Sequence, residues 1–478
     1  MSQQPYPDEI EWWEKVFDVE AAKRYAAALQ PYPNPRSARW SNRTAYDICG
    51  GLTKEASMAK HLRELEDELG LTPQPQPGQP TNRPLVGPLR IEHKLFRDDT
   101  GYRRVLFNSW FPALRILRDS PTEFGRQLNA IAAANYQGTR LFLAVGGWVD
   151  YWDGREVAPI RFEKGIFEGN HLRPKPSGVV IEAWPDYDDL LRTLLRAYKA
   201  RKLRVHLACG DMQIICPDAN QELDLHRRFA RICAEEGGLE VVAFAGDTNE
   251  YPLNRYGGDS PQSIEQMGRI VQVWEQAIPG ILTAQGAGLS EEPDKLYEAS
   301  TYGDVCISHT TRSPFELCLK RTLGLVYWEG NYRFFPKPFW QGEPAGPGDD
   351  SYQRVDDPAS LTALYAMHAL TGQASNQFSG PSVRAKVPLE SVWGFRELPA
   401  ILSQLPEDIA TWEHAHGPDG AILYWCKGQH FFTSTLASWN SAPPRPVASW
   451  TLVGGNQVTQ GSGAPPRGTG LLMGTFAA

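Results

Sequence analysis

The chain has 478 residues and a formal charge of −8 at pH 7, with 41% hydrophobic and 22% charged residues. These are ordinary values for a globular protein with room for one barrel-sized domain and smaller additions, and the absence of a basic block argues against nucleic acid or an anionic membrane as partner. Seven cysteines without a CxxC pair argue against a disulfide framework or a structural zinc site and point to a reducing compartment. The start, Met-Ser-Gln-Gln-Pro-Tyr-Pro-Asp, lacks the basic and apolar regions of a signal peptide. No apolar run approaches the ~20 residues of a membrane span, while release by another route stays open, so localisation is not assigned.

Residues 1–84 read as a helical appendage. Asp8 and Glu11 resemble a capping box, and Met58, Leu62, Leu65 and Leu69 recur on one helical face. Thr72-Pro-Gln-Pro-Gln-Pro-Gly-Gln-Pro80 follows as a semi-rigid linker. The appendage is expected either to pack on the main domain or to dock to a partner. Arg90 to Arg104 reads as a hairpin turning at Asp98-Asp-Thr-Gly101.

Strands and helices then alternate. Strands are expected to end at Asn108, Val145, Ala208, Gly246, Gln285, Ser308, Gln341 and Ser379, with helices near 121–134, 186–200, 220–236, 261–277, 291–300, 314–328 and 358–372. Eight strands in such alternation predict an α/β fold, a (β/α)8 TIM barrel over residues 85–410. A doubly wound open sheet is the alternative, weakened by the lack of GxGxxG or GxxxxGK[ST] after the first strand. Beyond residue 410, short strands split by Gly and Pro turns predict a small β-rich C-terminal domain, 411–478.

Chemistry is expected at the carboxyl ends of the strands. Leu239 to Tyr251 is a buried run that ends in Asn249-Glu250, and Pro338-Phe-Trp-Gln-Gly-Glu343 is a second ending in a carboxylate. Two carboxylates across a cleft are what glycosidic cleavage requires, one to protonate the leaving oxygen and one to attack or stabilise the sugar carbon. Glu250 and Glu343 are therefore the candidate catalytic pair. Candidate substrate contacts are Asn249, His309, Asn108 and the aromatic residues Trp110, Trp148, Trp152 and Trp340, with Tyr151 and Trp328 as further platforms. His206 lies inside a strand and reads as buried structure, and Asp211 and Gln213 as polar loop groups. Asp349-Asp350 lacks a third ligand at metal spacing, so no metal or other cofactor is expected.

The segment from Leu89 to Arg384 resembles clan A glycoside hydrolases, retaining (β/α)8 enzymes with Asn-Glu ending the fourth strand and Glu ending the seventh. The resemblance implies Glu250 as acid/base and Glu343 as nucleophile, with a β-linked oligo- or polysaccharide as substrate and carbohydrate as the partner. Gln341-Gly-Glu-Pro-Ala-Gly-Pro-Gly348 departs from the usual seventh-strand motif, which leaves the family within the clan unassigned. An alternative is a catalytically silent barrel, binding carbohydrate or serving in an assembly such as a phage particle.

Overall fold

The computed structural model describes residues 84–145, 156–158, 166–167, 179–183, 186–210, 212, 219–249, 261–286, 293–310, 314–328, 331–347, 355–384, 387–417, 422–439 and 442–477. The readings made for residues 1–83, for Trp148, Tyr151, Trp152, Asp211, Gln213 and Glu250, and for the side chain of Trp328 lie outside the described residues. The chain divides into Met1–Gln76 and Pro77–Ala478, and every described residue belongs to the second unit.

The described chain opens with a three-stranded antiparallel meander, β1 (Arg90–Glu92), β2 (Leu95–Asp98) and β3 (Gly101–Tyr102). The sequence had suggested one hairpin. The extra turn lies at His93 and Lys94, both left-handed at φ 52° and 61°, the backbone of a two-residue hairpin that Asn-Gly would normally signal. Here a tertiary clamp holds it: Lys94 Nζ donates to the Arg333 carbonyl at 2.6 Å and Arg333 donates to the Lys94 carbonyl at 3.0 Å.

Eight parallel strands follow: β4 (Leu106–Ser109), β5 (Gly138–Val145), β9 (Arg204–Gly210), β10 (Val242–Thr248), β11 (Leu282–Gly286), β12 (Val305–Ser308), β15 (Phe339–Gln341) and β16 (Ala374–Gln377). Each pairs with the next, and β16 pairs back onto β4, which closes the barrel. Short strands β6 (Glu156–Ala158), β7 (Ile166–Phe167) and β8 (Val179–Ala183) extend the sheet from β5, and β13 (Tyr327–Trp328) pairs with β14 (Asn331–Tyr332). The helices are α1 (Ala113–Asp119), α2 (Pro121–Ala133), α3 (Tyr187–Ala200), α4 (Ala219–Glu235), α5 (Pro261–Ala277), α6 (Pro293–Ala299), α7 (Phe315–Gly324), α8 (Pro358–Leu370) and α9 (Glu397–Leu402). Their positions follow local chemistry. In α3, Leu191, Leu194, Leu195 and Tyr198 are all buried, one helical stripe turned to the strands. Helix α8 begins where Asp357 accepts from the Ser360 N–H at 2.9 Å, with Pro358 in the first turn. Among the described residues no helix is long and apolar enough to cross a membrane.

The six C-terminal strands, β17 (Glu413–His416), β18 (Leu423–Lys427), β19 (His430–Thr435), β20 (Val447–Gly454), β21 (Gln457–Gly461) and β22 (Gly470–Phe476), form one antiparallel sheet. It packs on α8, where Ser434 Oγ donates to the Ala363 carbonyl at 2.7 Å, and it shares the large core that fills the space between strands and helices. A second core fills the barrel itself: Phe107, Phe244, Ala284 and Trp340 from the strands, joined by Leu85, Leu89 and Phe96 from the meander region. Phe96 meets Phe244 edge-on at 5.6 Å. Arg204, the first residue of β9, donates to the Gly87 carbonyl at 3.0 Å. The meander therefore closes the amino-terminal end of the barrel.

Candidate active site

Above the apolar layer the barrel interior turns polar. The residue that connects it is one the sequence reading passed over. Arg140, on β5, is fully buried, with its guanidinium 5.3 Å from the ring centres of Phe111 and Phe142. Its Nε and Nη2 donate to Asp247 Oδ2 at 3.1 and 3.0 Å, Nη2 also donates to Asn249 Oδ1 at 2.6 Å, and Nη1 donates to Glu343 Oε1 at 2.9 Å. One side chain from the second strand thus ties the end of the fourth strand to the end of the seventh. Burial disfavours the charge of Arg140, but the carboxylates of Asp247 and Glu343 outweigh it and raise its pKa.

Asp247 and Asn249 reach Arg140 because β10 is irregular. Phe244 pairs with His206 and Asp247 with Ala208, so three steps on β10 match two on β9. The extra residue is accommodated around Gly246, at φ +77°, a conformation glycine adopts without a Cβ penalty. Phe244 then joins the inner apolar layer while Asp247 faces the guanidinium. Burial alone would raise the Asp247 carboxyl, yet Arg140 and His206 hold it below the usual carboxylate value. His206 is buried as expected, edge-on to Trp340 at 4.7 Å, with Nε2 3.1 Å from Asp247 Oδ2. Desolvation lowers its pKa, against the pull of Asp247, so the ring is neutral near pH 7.

Glu343 is 4% exposed and stands two residues past β15. The backbone before it is pinned on both sides: the Gly342 N–H donates to the Ser308 carbonyl at 3.1 Å, and the Gly342 carbonyl accepts from Asn376 Nδ2 at 3.0 Å. His309, just past β12, brings Nδ1 to 3.9 Å from Glu343 Oε2. Asn249, His309 and Glu343 are therefore gathered in one polar layer. Asn108 is buried at the end of β4, where it donates to Gln377 Oε1 at 2.5 Å.

Two aromatic candidates occupy other places. Trp340 is fully buried inside the barrel, edge-on to Phe107 at 5.1 Å and Phe244 at 4.5 Å. Trp110 is fully buried outside the strands, stacked on Phe124 of α2 at 5.2 Å. Both are core residues, and neither offers a sugar a free ring face. A place at a strand end does not say which way the side chain turns, and here the turns are inward below the polar layer and outward onto a helix.

Comparison with solved structures agrees with the strand count. A glycoside hydrolase aligns at a TM-score of 0.50 and 10% identity, over 82% of this chain and 97% of that one. A putative glycoside hydrolase from Bacteroides vulgatus aligns at 0.55 and 10% identity, over 81% of each chain. A glycoside hydrolase family 5 structure from the same organism aligns at 0.52 and 10% identity, over 82% of this chain and 93% of that one. At this identity the likeness is one of fold, the closed (β/α)8 barrel. No family model and no curated protein matches the sequence.

Proposed function

We propose that the chain is a retaining glycoside hydrolase acting on a β-linked oligo- or polysaccharide. The observation that carries this reading is the ion pair of Glu343 with Arg140, which also binds Asn249, the residue before Glu250. A carboxylate in a nearly dry site is paired with a fixed cation that aims it, which is what a nucleophile toward a sugar carbon requires. Glu343 attacks the anomeric carbon. Glu250 protonates the leaving oxygen and then deprotonates the water that releases the sugar. Asn249 and His309 flank the reacting centre as substrate contacts. The fold likeness to glycoside hydrolases supports the same class of reaction.

A glycan panel with reducing-end detection tests this reading, with Glu343→Gln as the inactive control. Glu343→Ala should abolish turnover. Glu250→Ala should keep the first step on an activated aryl β-glycoside, accumulate the glycosyl–enzyme, and recover turnover on added azide with a β-glycosyl azide as product. Mass spectrometry should place the trapped sugar on Glu343. A label on another carboxylate sinks the assignment, and a panel that the wild type leaves uncut favours the silent barrel.

A further inference from the structure

Arg140 has two carboxylate partners, and they are not equivalent. Asp247 receives two of its N–H groups and Glu343 one. Asp247 is 2% exposed and enclosed by Arg140 and His206, on the strand itself, whereas Glu343 lies past the end of its strand. We propose that Asp247 is a stationary counter-ion: a positioning residue that keeps Arg140 charge-paired while Glu343 gives up its own charge. This rests on the reading of Glu343 as the nucleophile.

In the first step an oxygen of Glu343 forms a bond to the anomeric carbon. The bond from that carbon to the leaving oxygen breaks, the electron pair leaves with the oxygen, and that oxygen takes the proton of the acid. Glu343 changes from an anion to a neutral ester. A fully buried arginine beside two aromatic rings, with no other carboxylate among the described residues, would then be an unpaired cation, a costly state. Asp247 never reacts, so the Arg140–Asp247 pair stays neutral through both steps. His206, the other titratable group facing Asp247, is neutral and leaves the aspartate charge intact. The counter-ion therefore favours the ester over the free carboxylate. Losing it should slow formation of the ester and speed its breakdown.

The kinetic test uses a 2-deoxy-2-fluoro-β-glycosyl fluoride of a sugar the wild type cleaves. Asp247→Asn should slow labelling of Glu343 by on the order of 10-fold or more, while the isolated labelled variant loses its sugar faster than the wild type. A group that only maintains shape slows both steps, and that result overturns the proposal. A second arm needs no substrate. Glu343→Gln mimics the discharged carboxylate, so among the described residues each single variant leaves Arg140 one carboxylate and the pair Asp247→Asn with Glu343→Gln leaves none. In urea unfolding, the double variant should lose more than the two single losses added together, and Arg140→Met in that background should recover the loss. Additive losses, or a double variant that Arg140→Met does not recover, overturn the proposal. Wild-type label on a different carboxylate overturns the nucleophile assignment instead, and the unfolding cycle still reports on the counter-ion.

Discussion

Glycine at position 342 is required by the packing of His309, and Gly342→Ala tests that requirement. A methyl group there would stand 2.6 Å from His309 Nε2, 2.9 Å from Cδ2 and 3.0 Å from Ile307 Cγ2. Ordinary contacts lie near ~3.5–4.0 Å, so the ring would have to yield by about 1 Å. The chain at Gly342 has little freedom to move instead, being bonded to the Ser308 carbonyl on one side and to Asn376 on the other. His309 is 1% exposed, so it has nowhere empty to turn. Overpacking of this kind costs about 1–3 kcal/mol. Glu343, the proposed nucleophile, is the next residue, and a shift of ~1 Å there is expected to reduce turnover about 10²-fold. Urea unfolding measures the first effect and initial rates on any substrate cleaved by the wild type measure the second. His309→Ala in the Gly342→Ala background should recover part of the stability, because the two tightest contacts of the added methyl are then gone and only Ile307 Cγ2 at 3.0 Å remains. Wild-type stability in Gly342→Ala, or a His309→Ala cost that simply adds to it, would refute the packing argument.

The remaining predictions concern stability. Burial pushes the imidazole of His226 down to about 4 and that of His368 to about 3. A group whose pKa is lower folded than unfolded contributes stability that is present above about pH 6.5 and is lost as pH falls toward the folded value. Each should therefore cost about 2 kcal/mol between pH 7 and pH 5; urea unfolding at the two pH values checks this, and a slope unchanged in the double variant of both histidines to Gln would contradict it. A chain beginning at Pro84 should fold cooperatively, since the proline-rich stretch from Thr72 to Pro80 reads as a linker before the barrel; an aggregated or molten product would show that residues 1–83 cover barrel core.

The barrel was legible because each strand is a buried apolar run stopped by polar residues, and each helix carries an apolar stripe. Val242 to Thr248 is buried at every position, as a strand covered on both faces must be. The buried place of Glu343 past the seventh barrel strand was legible for the same reason, as a carboxylate at the end of such a run. Arg140 was not. In Gly138-Thr-Arg-Leu-Phe it looks like the polar start of a strand, and only closure of the barrel sets it opposite residues more than a hundred positions away. Asp247 was hidden by the bulge: with regular alternation Gly246 would share the face of Phe244, and the extra residue hands that face to Asp247. The β17 strand carries no strand signal of its own, because Glu413-His-Ala-His416 is an exposed edge with no apolar alternation. Trp110 and Trp340 misled because aromatic residues serve cores as readily as clefts.

The interior of the barrel changes character along its axis, and that change decides where chemistry can occur. At the amino-terminal end the meander residues Leu85, Leu89 and Phe96 complete an apolar plug with Phe107, Phe244 and Trp340. Charges placed there would have no partners. One layer higher, Arg140, His206, Asp247, Asn249, His309 and Glu343 are all buried and polar. The plug beneath them and the rings of Phe111 and Phe142 beside Arg140 lower the local dielectric, so each charge in the layer acts strongly on its neighbours. Such a layer is tolerated only if the charges are paired and held, and the bonds from Arg140 to two strands meet that condition. The same bonds hold Glu343 in place, so under the proposed mechanism no reorganisation of the site has to precede attack. The apolar plug and the charged layer are thus two parts of one device, and weakening the plug at Phe244 or Trp340 should loosen the ion pairs above it.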